Sequence, residues 1–92
     1  MRIVWDEVKR QANLAKHGLD FADFQDGFSF DRYLPFPSSR SRTGRERNRL
    51  IGTLFGERKV VAVVSPLGAE AISLVSLRPA SPKEARTYDE NT

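Results

Sequence analysis

The chain has 92 residues, no cysteine and one histidine, which suits one small domain over residues 1–92 and excludes disulfides, thiolate metal sites and cysteine nucleophiles. Its 15 Lys/Arg and 12 Asp/Glu give a formal net charge of +3, and the lone His17 cannot by itself form a multi-histidine metal site. The N-terminal residues lack the apolar stretch of a signal peptide, and no run approaches the ~18 apolar residues of a membrane span, so we expect a cytoplasmic protein without a membrane partner.

The positive charge is concentrated in residues 40–59. This segment has seven basic and two acidic residues, a net charge of +5, whereas the rest of the chain has eight basic and ten acidic residues, a net charge of −2. Five arginines lie at or near alternate positions: Arg40, Arg42, Arg45, Arg47 and Arg49. Guanidinium groups suit phosphate, so the segment predicts binding to a nucleic-acid backbone. A solvated loop in a basic protein explains the charge equally well.

The N-terminal sequence predicts a strand over residues 2–5 and then a helix. Asp6 suits the N-cap of this helix, His17 its last turn, and Gly18 the left-handed residue that ends it. Three apolar residues at spacings of four and three predict its buried side: Val8, Ala12 and Ala15. A group of polar residues also recurs at helical spacings and is expected to face water, with a capping or orienting role for the asparagine: Lys9, Asn13, Lys16 and His17.

A second, short helix and a loop are predicted next. Asp20 suits the N-cap of the helix, in which three phenylalanines recur at core-facing spacings: Phe21, Phe24 and Phe28. Residues 34–46 combine prolines, serines and arginines without periodicity. This composition predicts a mobile basic loop.

The C-terminal half predicts three strands and a helix. The strands span residues 47–55, 59–64 and 70–77 and form an antiparallel meander, whose all-apolar middle strand should be covered on both faces. Ser81, Pro82 and Glu84 predict a capping box at the start of a helix that ends near residue 90. The predicted fold class is therefore α+β: an N-terminal strand and a three-strand meander, with two N-terminal helices and one C-terminal helix.

Four side chains are the first candidates for chemistry. Strand alternation places Arg47 and Arg49 on one face, where they suit an anionic ligand or a solvent-facing sheet edge. Arg78 precedes Pro79 at the end of the last strand, where it either presents its charge or forms a salt bridge with Glu84 or Asp6. Histidine is the residue type best suited to proton transfer, which makes His17 a candidate, although a histidine at a helix end is more often a cap.

Several motifs in the right order resemble one known family. The N-terminal pattern W-D-x-x-K-x-x-x-N-x-x-K-H-G-[VIL]-x-F is formed by Trp5, Asp6, Lys9, Asn13, Lys16, His17, Gly18, Leu19 and Phe21, and it resembles the opening signature of the BrnT toxins. The pattern E-R-x-x-x-I-G is formed by Glu46, Arg47, Ile51 and Gly52. The pattern S-x-R-x-A is formed by Ser76, Arg78 and Ala80, and a closing helix follows with Arg86 and Tyr88.

The resemblance implies a RelE-like fold, with an antiparallel sheet and helices packed on one side, and a metal-independent endoribonuclease that uses no cofactor and inhibits translation. It also implies five catalytic candidates: His17, Lys16, Arg47, Arg78 and Tyr88. Arg47 and Arg78 would hold phosphate, His17 or Lys16 would transfer protons, and Tyr88 would stack or act as an acid. RNA contacts are expected from Lys9, Arg40, Arg42, Arg45 and Arg49.

The same resemblance implies a partner, a BrnA-type antitoxin with a ribbon-helix-helix DNA-binding portion, so that DNA is contacted only through the complex. The sequence leaves one alternative function open. This chain lacks the tyrosine that the family often carries near Val64 and the arginines that it carries in the strand at residues 70–73. A catalytically weak or inactive module that binds nucleic acid or antitoxin is therefore a second hypothesis.

Overall fold

The computed structural model describes residues 2–37 and 46–92. The described residues form five strands and three helices: β1 (Arg2–Val4), α1 (Glu7–His17), α2 (Phe21–Gly27), β2 (Leu34–Pro37), β3 (Asn48–Leu54), β4 (Arg58–Leu67), β5 (Ala71–Pro79) and α3 (Pro82–Asn91). The predicted α+β class and its three helices are confirmed. Among the described residues, no helix is both long and apolar enough to cross a membrane.

The strands form one sheet in the order β1-β5-β4-β3-β2. Neighbouring strands are antiparallel except β1 and β5, which are parallel, so the sheet is mixed. The hydrogen bonds of β4 continue through Leu67, beyond its predicted end at residue 64. The predicted meander is confirmed as β3, β4 and β5.

The prediction of a loop over residues 34–46 is wrong at its start, where β2 pairs with β3 from Leu34 opposite Ile51 to Pro37 opposite Asn48. Two prolines made this stretch resemble a loop. Because β2 is an edge strand, every second N–H points away from its partner, and prolines two residues apart are tolerated there. Residues 38–45 lie outside the described part of the chain.

Both faces of β4 are buried, as its sequence predicted. On one face, Val60 and Ala62 belong to a core cluster with the phenylalanines of α2. On the other face, Val61 packs with Ile51 and with Tyr88 of α3. The expectation that all helices lie on one side is therefore wrong, because α3 packs on the face opposite α2.

Helix α1 lies beside the edge of β5 and not on an apolar face. Its caps are those predicted: Asp6 accepts from the Val8 N–H, and Gly18 has a left-handed φ of 69°. The predicted apolar stripe is exposed, with Val8 76% accessible, and Asn13 is the buried residue of the helix. Since β1 pairs with β5 only as far as Ser73, the side chain of Asn13 occupies the edge that β1 leaves open.

Candidate functional site

A cleft of about 540 Å³ lies between α3 and the sheet face that α3 covers. Its apolar lining comes from three strands: Phe36 of β2, Ile51 of β3 and Val61 of β4. Its polar lining comes from β3, from the end of β5 and from the start of α3: Arg49, Arg78, Ser81, Lys83, Glu84 and Thr87. Among the described residues, three cations and one carboxylate give this lining a formal charge of +2. The cleft therefore combines an apolar floor with a positive rim.

Arg78 and Glu84 form a bidentate ion pair at the centre of this rim. Arg78 Nη1 and Nη2 donate to the two carboxylate oxygens of Glu84, each at 2.8 Å. Of the two partners considered from the sequence, the structure pairs Arg78 with Glu84. The same carboxylate accepts from the Ser81 N–H at 2.9 Å and completes the predicted capping box of α3. The guanidinium is thus tied to the first turn of α3.

The ion pair leaves one side of the Arg78 guanidinium without a partner among the described residues. Nη1 and Nη2 bond to Glu84, and Nη1 also donates to the Pro79 carbonyl at 3.3 Å. A guanidinium carries five N–H donors, so Nε and the second Nη2 hydrogen remain as a fork. Such a fork matches two oxygens of a carboxylate or phosphate.

Arg49 extends across the cleft toward the same carboxylate. Its Nη1 lies 4.0 Å from Glu84 Oε2, and its Cζ lies 5.9 Å from the centre of the Phe36 ring. Phe36 and Arg49 are directly opposite each other on β2 and β3. The Arg49 side chain remains 45% exposed. It therefore has a fixed position over an aromatic ring while its charge still faces solvent.

The hydrogen bonds from Arg78 lower the pKa of Glu84 from 4.5 to about 2, and those from Ser81 act in the same direction. The ion pair should therefore stabilise the fold above pH 4.5, and this contribution should be lost as the pH falls toward about 2. We expect urea unfolding of the wild type and of Glu84→Gln, measured from pH 7 to pH 2, to converge at the acidic end. Glu90→Gln, a change of the same chemistry at an exposed position of α3, is the control. A difference between wild type and Glu84→Gln that did not change with pH would contradict this assignment.

The arginines predicted as site residues lie in different parts of the structure. Arg49 lines the cleft, as does Arg78 from the end of β5. Arg47 is half-buried just before β3 and is not among the lining residues. The remaining three are outside the described part of the chain: Arg40, Arg42 and Arg45.

Tyr88 does not have the exposed position expected for a stacking or acid group. It is 5% accessible, and its hydroxyl donates to the Arg32 carbonyl at 2.8 Å. Its ring packs in the core cluster beneath α3 with Ile51 and Val61. Because both ring and hydroxyl are committed to the fold, we assign Tyr88 a structural role.

The basic residues of α1 lie around Asn13, which faces the β5 edge. Helical geometry places Arg10 and His17 roughly 40–60° to one side of Asn13, and Lys9 and Lys16 by the same angle to the other side. Arg10 bonds to Asp20, the N-cap of α2, so its side of α1 faces the sheet surface that α2 covers. Lys9 and Lys16 are exposed on the opposite side, toward the face that carries the cleft. His17 is half-buried and is not among the lining residues of the cleft.

The sequence analysis did not identify Phe36 and Lys83 as site residues. Phe36 lay in a segment predicted as loop, so its place on a strand opposite Arg49 was hidden. Lys83 adjoins Glu84 in the first turn of α3, and a Pro-Lys-Glu sequence after an N-cap indicates only a helix start. Within the described residues, no three His, Cys, Asp or Glu side chains are grouped as a metal site would require.

The fold and the cleft define a small α+β protein with a cation-rich cleft suited to an anionic ligand. A family model described as the ribonuclease toxin BrnT of type II toxin-antitoxin systems matches residues 5–84, and the chain belongs to this family. The crystal structure of the Brucella abortus ribonuclease toxin BrnT is similar, with a TM-score of 0.73 and 42% sequence identity over 88% of this chain and 97% of that one. No curated protein gives a significant match.

Proposed function

We propose that the protein is the toxin of a type II toxin-antitoxin system and acts in the cytoplasm as a metal-independent endoribonuclease that inhibits translation. The observation that carries this proposal is the convergence of Arg49, Arg78 and Lys83 on one cleft, in which Glu84 is the one carboxylate among the described lining residues. Family membership supplies the reaction class, because the family model describes a ribonuclease toxin.

The cleft suits the charge changes of RNA cleavage. The ribose 2′-hydroxyl loses its proton and attacks the adjacent phosphorus, which forms a pentavalent phosphate that carries more negative charge than the substrate. The bond from phosphorus to the 5′-oxygen then breaks, and this oxygen takes up a proton, which leaves a 2′,3′-cyclic phosphate and a 5′-hydroxyl. Fixed donors that are already oriented stabilise such a charge without rearranging. The free fork of Arg78 would bind two phosphate oxygens, with Arg49 and Lys83 adding positive charge on either side. In this proposal Arg49 has a phosphate-binding role like the one that we expected of Arg47.

Proton transfer requires a group that loses and regains a proton near neutral pH. The described residues of the cleft lining include no histidine, and their one carboxylate, Glu84, is held ionised by Arg78. Our candidates for the base and the acid are Lys16 and His17 at the end of α1. Lys16 lies on the side of α1 toward the cleft, whereas His17 lies on the side of Arg10, so the reacting ribose would have to lie at the β5 edge for His17 to contact it. Lys9 and Lys16 would also guide the RNA backbone toward the cleft from the edge of β5.

The absence of a histidine from the cleft lining also favours a second candidate function, a module that binds RNA or antitoxin and cleaves slowly or not at all. The two functions make different demands on α1. A ribonuclease needs His17 or Lys16 in contact with the reacting ribose, whereas a binding module needs only the positive charge of the rim.

The partner that we propose is a BrnA-type antitoxin, whose ribbon-helix-helix portion would make the only DNA contacts of the complex. A cleft with a formal charge of +2 suits acidic side chains, which would neutralise Arg49 and Lys83 while excluding RNA. Inhibition of RNA binding by the antitoxin should therefore weaken as the salt concentration rises.

A cleavage assay with end-labelled RNA tests this proposal. The purified protein, incubated with RNA in excess chelator, should produce discrete fragments, and His17→Ala or Lys16→Ala should slow their formation by at least about 10². Gln11→Ala, an exposed change on α1, is the control. Cleavage that required added metal would contradict the mechanism. RNA binding without cleavage would support the binding module.

A further inference from the structure

We propose that the cleft contains a subsite for one unpaired nucleobase, which stacks on the platform formed by Phe36 and Arg49. This inference rests on the proposed function, which supplies RNA as the ligand. It specifies how the cleft binds that RNA. The substrate is single-stranded at the site of binding, and the cleft receives a base as well as a phosphate.

The platform is built into the sheet. Phe36 and Arg49 are a cross-strand pair on β2 and β3, and the Arg49 guanidinium lies over the Phe36 ring with 5.9 Å between Cζ and the ring centre. Glu84 Oε2 lies 4.0 Å from Arg49 Nη1 and restrains the guanidinium. An aromatic ring and a guanidinium plane are the two surfaces on which proteins stack unpaired RNA bases. Because both side chains are already positioned, little ordering is needed when a base binds.

The space beside the platform suits a nucleotide. The floor consists of Ile51 and Val61, which are 2% and 0% accessible and offer only apolar atoms to a ligand. The cleft volume of about 540 Å³ falls within the roughly 300–1,000 Å³ of small-ligand sites.

The phosphate would lie against Arg78, which shares the Glu84 carboxylate with Arg49. There the Nε–H and the second Nη2–H of Arg78 would donate to two phosphate oxygens, and Lys83 of α3 adds positive charge. The base and the phosphate of one nucleotide thus have separate, chemically matched positions. A base inside a duplex is stacked and paired on all sides, so only an unpaired nucleotide can occupy both.

The proposal is tested by binding of two fluorescent oligomers of equal length. One is a 2′-O-methyl oligoribonucleotide, which cannot be cleaved, and the other has the same backbone without bases. Phe36→Leu keeps an apolar side chain on the edge strand and should weaken binding of the base-bearing oligomer about 10-fold, while changing binding of the abasic oligomer less than 2-fold. Arg78→Ala should weaken both oligomers equally. Tyr33→Leu, an exposed aromatic change outside the cleft, is the matched control.

A second variant keeps the test decisive if Phe36→Leu is poorly folded. Phe36→Trp should bind the base-bearing oligomer as tightly as the wild type, and only that oligomer should quench its added fluorescence. Equal effects of Phe36→Leu on the two oligomers, or no quenching of Phe36→Trp, would overturn the subsite. Failure of the wild type to bind either oligomer would overturn both the subsite and the RNA function. Selective binding without cleavage of ordinary RNA would overturn only the ribonuclease.

Discussion

Replacing Asn13 with alanine should lower the free energy of unfolding by about 3 kcal/mol, because each buried partner that loses its hydrogen bond costs ~1–3 kcal/mol. The Asn13 amide donates to the carbonyls of Leu77 at 2.8 Å and Leu19 at 3.1 Å, and its oxygen accepts from the Leu77 N–H at 3.1 Å. It therefore pairs with both backbone groups of Leu77 as a neighbouring strand would. Alanine removes all three hydrogen bonds and leaves the Leu77 N–H and the two carbonyls without this partner.

Urea unfolding at neutral pH measures this loss, with Gln11→Ala as the control at an exposed position of the same helix. Asn13→Asp is the more specific variant. It keeps the acceptor for the Leu77 N–H but removes the donors to two carbonyls and places a negative charge near them, so it should destabilise at least as much as alanine at pH 7 and less as the carboxylate is protonated in acid. A change of less than about 1 kcal/mol for Asn13→Ala would show that β5 does not depend on this side chain.

Asn13 also shows where sequence reasoning succeeded and where it failed. The ends of α1 follow from local chemistry, since a cap needs only a side chain and the backbone next to it, and both ends were predicted from Asp6 and Gly18. The buried side of α1 depends on a contact with Leu77, which lies 64 residues away. A helix that covers a strand edge meets backbone and not apolar side chains, so its buried residue is polar and its apolar stripe is exposed.

The faces of the β5 residues could not be predicted from the sequence. Leu74 and Leu77 are both buried in the same cluster although they are three residues apart, which strict alternation in a strand forbids. The register shifts between Val63 and Val64 of β4, which pair with Ser76 and Leu74, so Val75 is an extra residue in β5. The bulge exchanges the faces of the residues after it. This exchange places Arg78 on the face of the cleft, and no local feature of the sequence indicates it.

Gly52 explains one family motif in physical terms. A Cβ at this position would lie 2.6 Å from the Phe28 ring and 2.7 Å from Ser29 Oγ. Ser29 Oγ accepts from the Thr53 N–H at 2.9 Å, so the chain after α2 crosses β3 in direct contact with its backbone. In the sequence, the Ile51-Gly52 pair was recognised only as part of the E-R-x-x-x-I-G pattern of the family. The reason for the glycine is a crossing between distant segments, which only the structure provides.

Replacing Arg78 with alanine should slow RNA cleavage by about 10²- to 10³-fold, the effect typical of removing one fixed donor from a developing oxyanion. Arg78→Lys should recover little of this loss, because an ammonium group lacks the planar fork that would bind two phosphate oxygens. Initial rates at saturating RNA, in chelator, measure the effect. Arg58→Ala removes the same charge from an exposed position outside the cleft and should change the rate less than about 3-fold.

The ion pair complicates this experiment, since Arg78→Ala also removes the partner that Glu84 has at the start of α3. Glu84→Gln separates the two effects. It breaks the same ion pair and should cost comparable stability, but it leaves the guanidinium in the cleft and removes a negative charge that repels phosphate. RNA binding by Glu84→Gln should therefore be tighter and more sensitive to salt than that of the wild type. If Glu84→Gln instead lost cleavage as severely as Arg78→Ala, the essential feature would be the ion pair that holds α3 in place and not a phosphate clamp at Arg78.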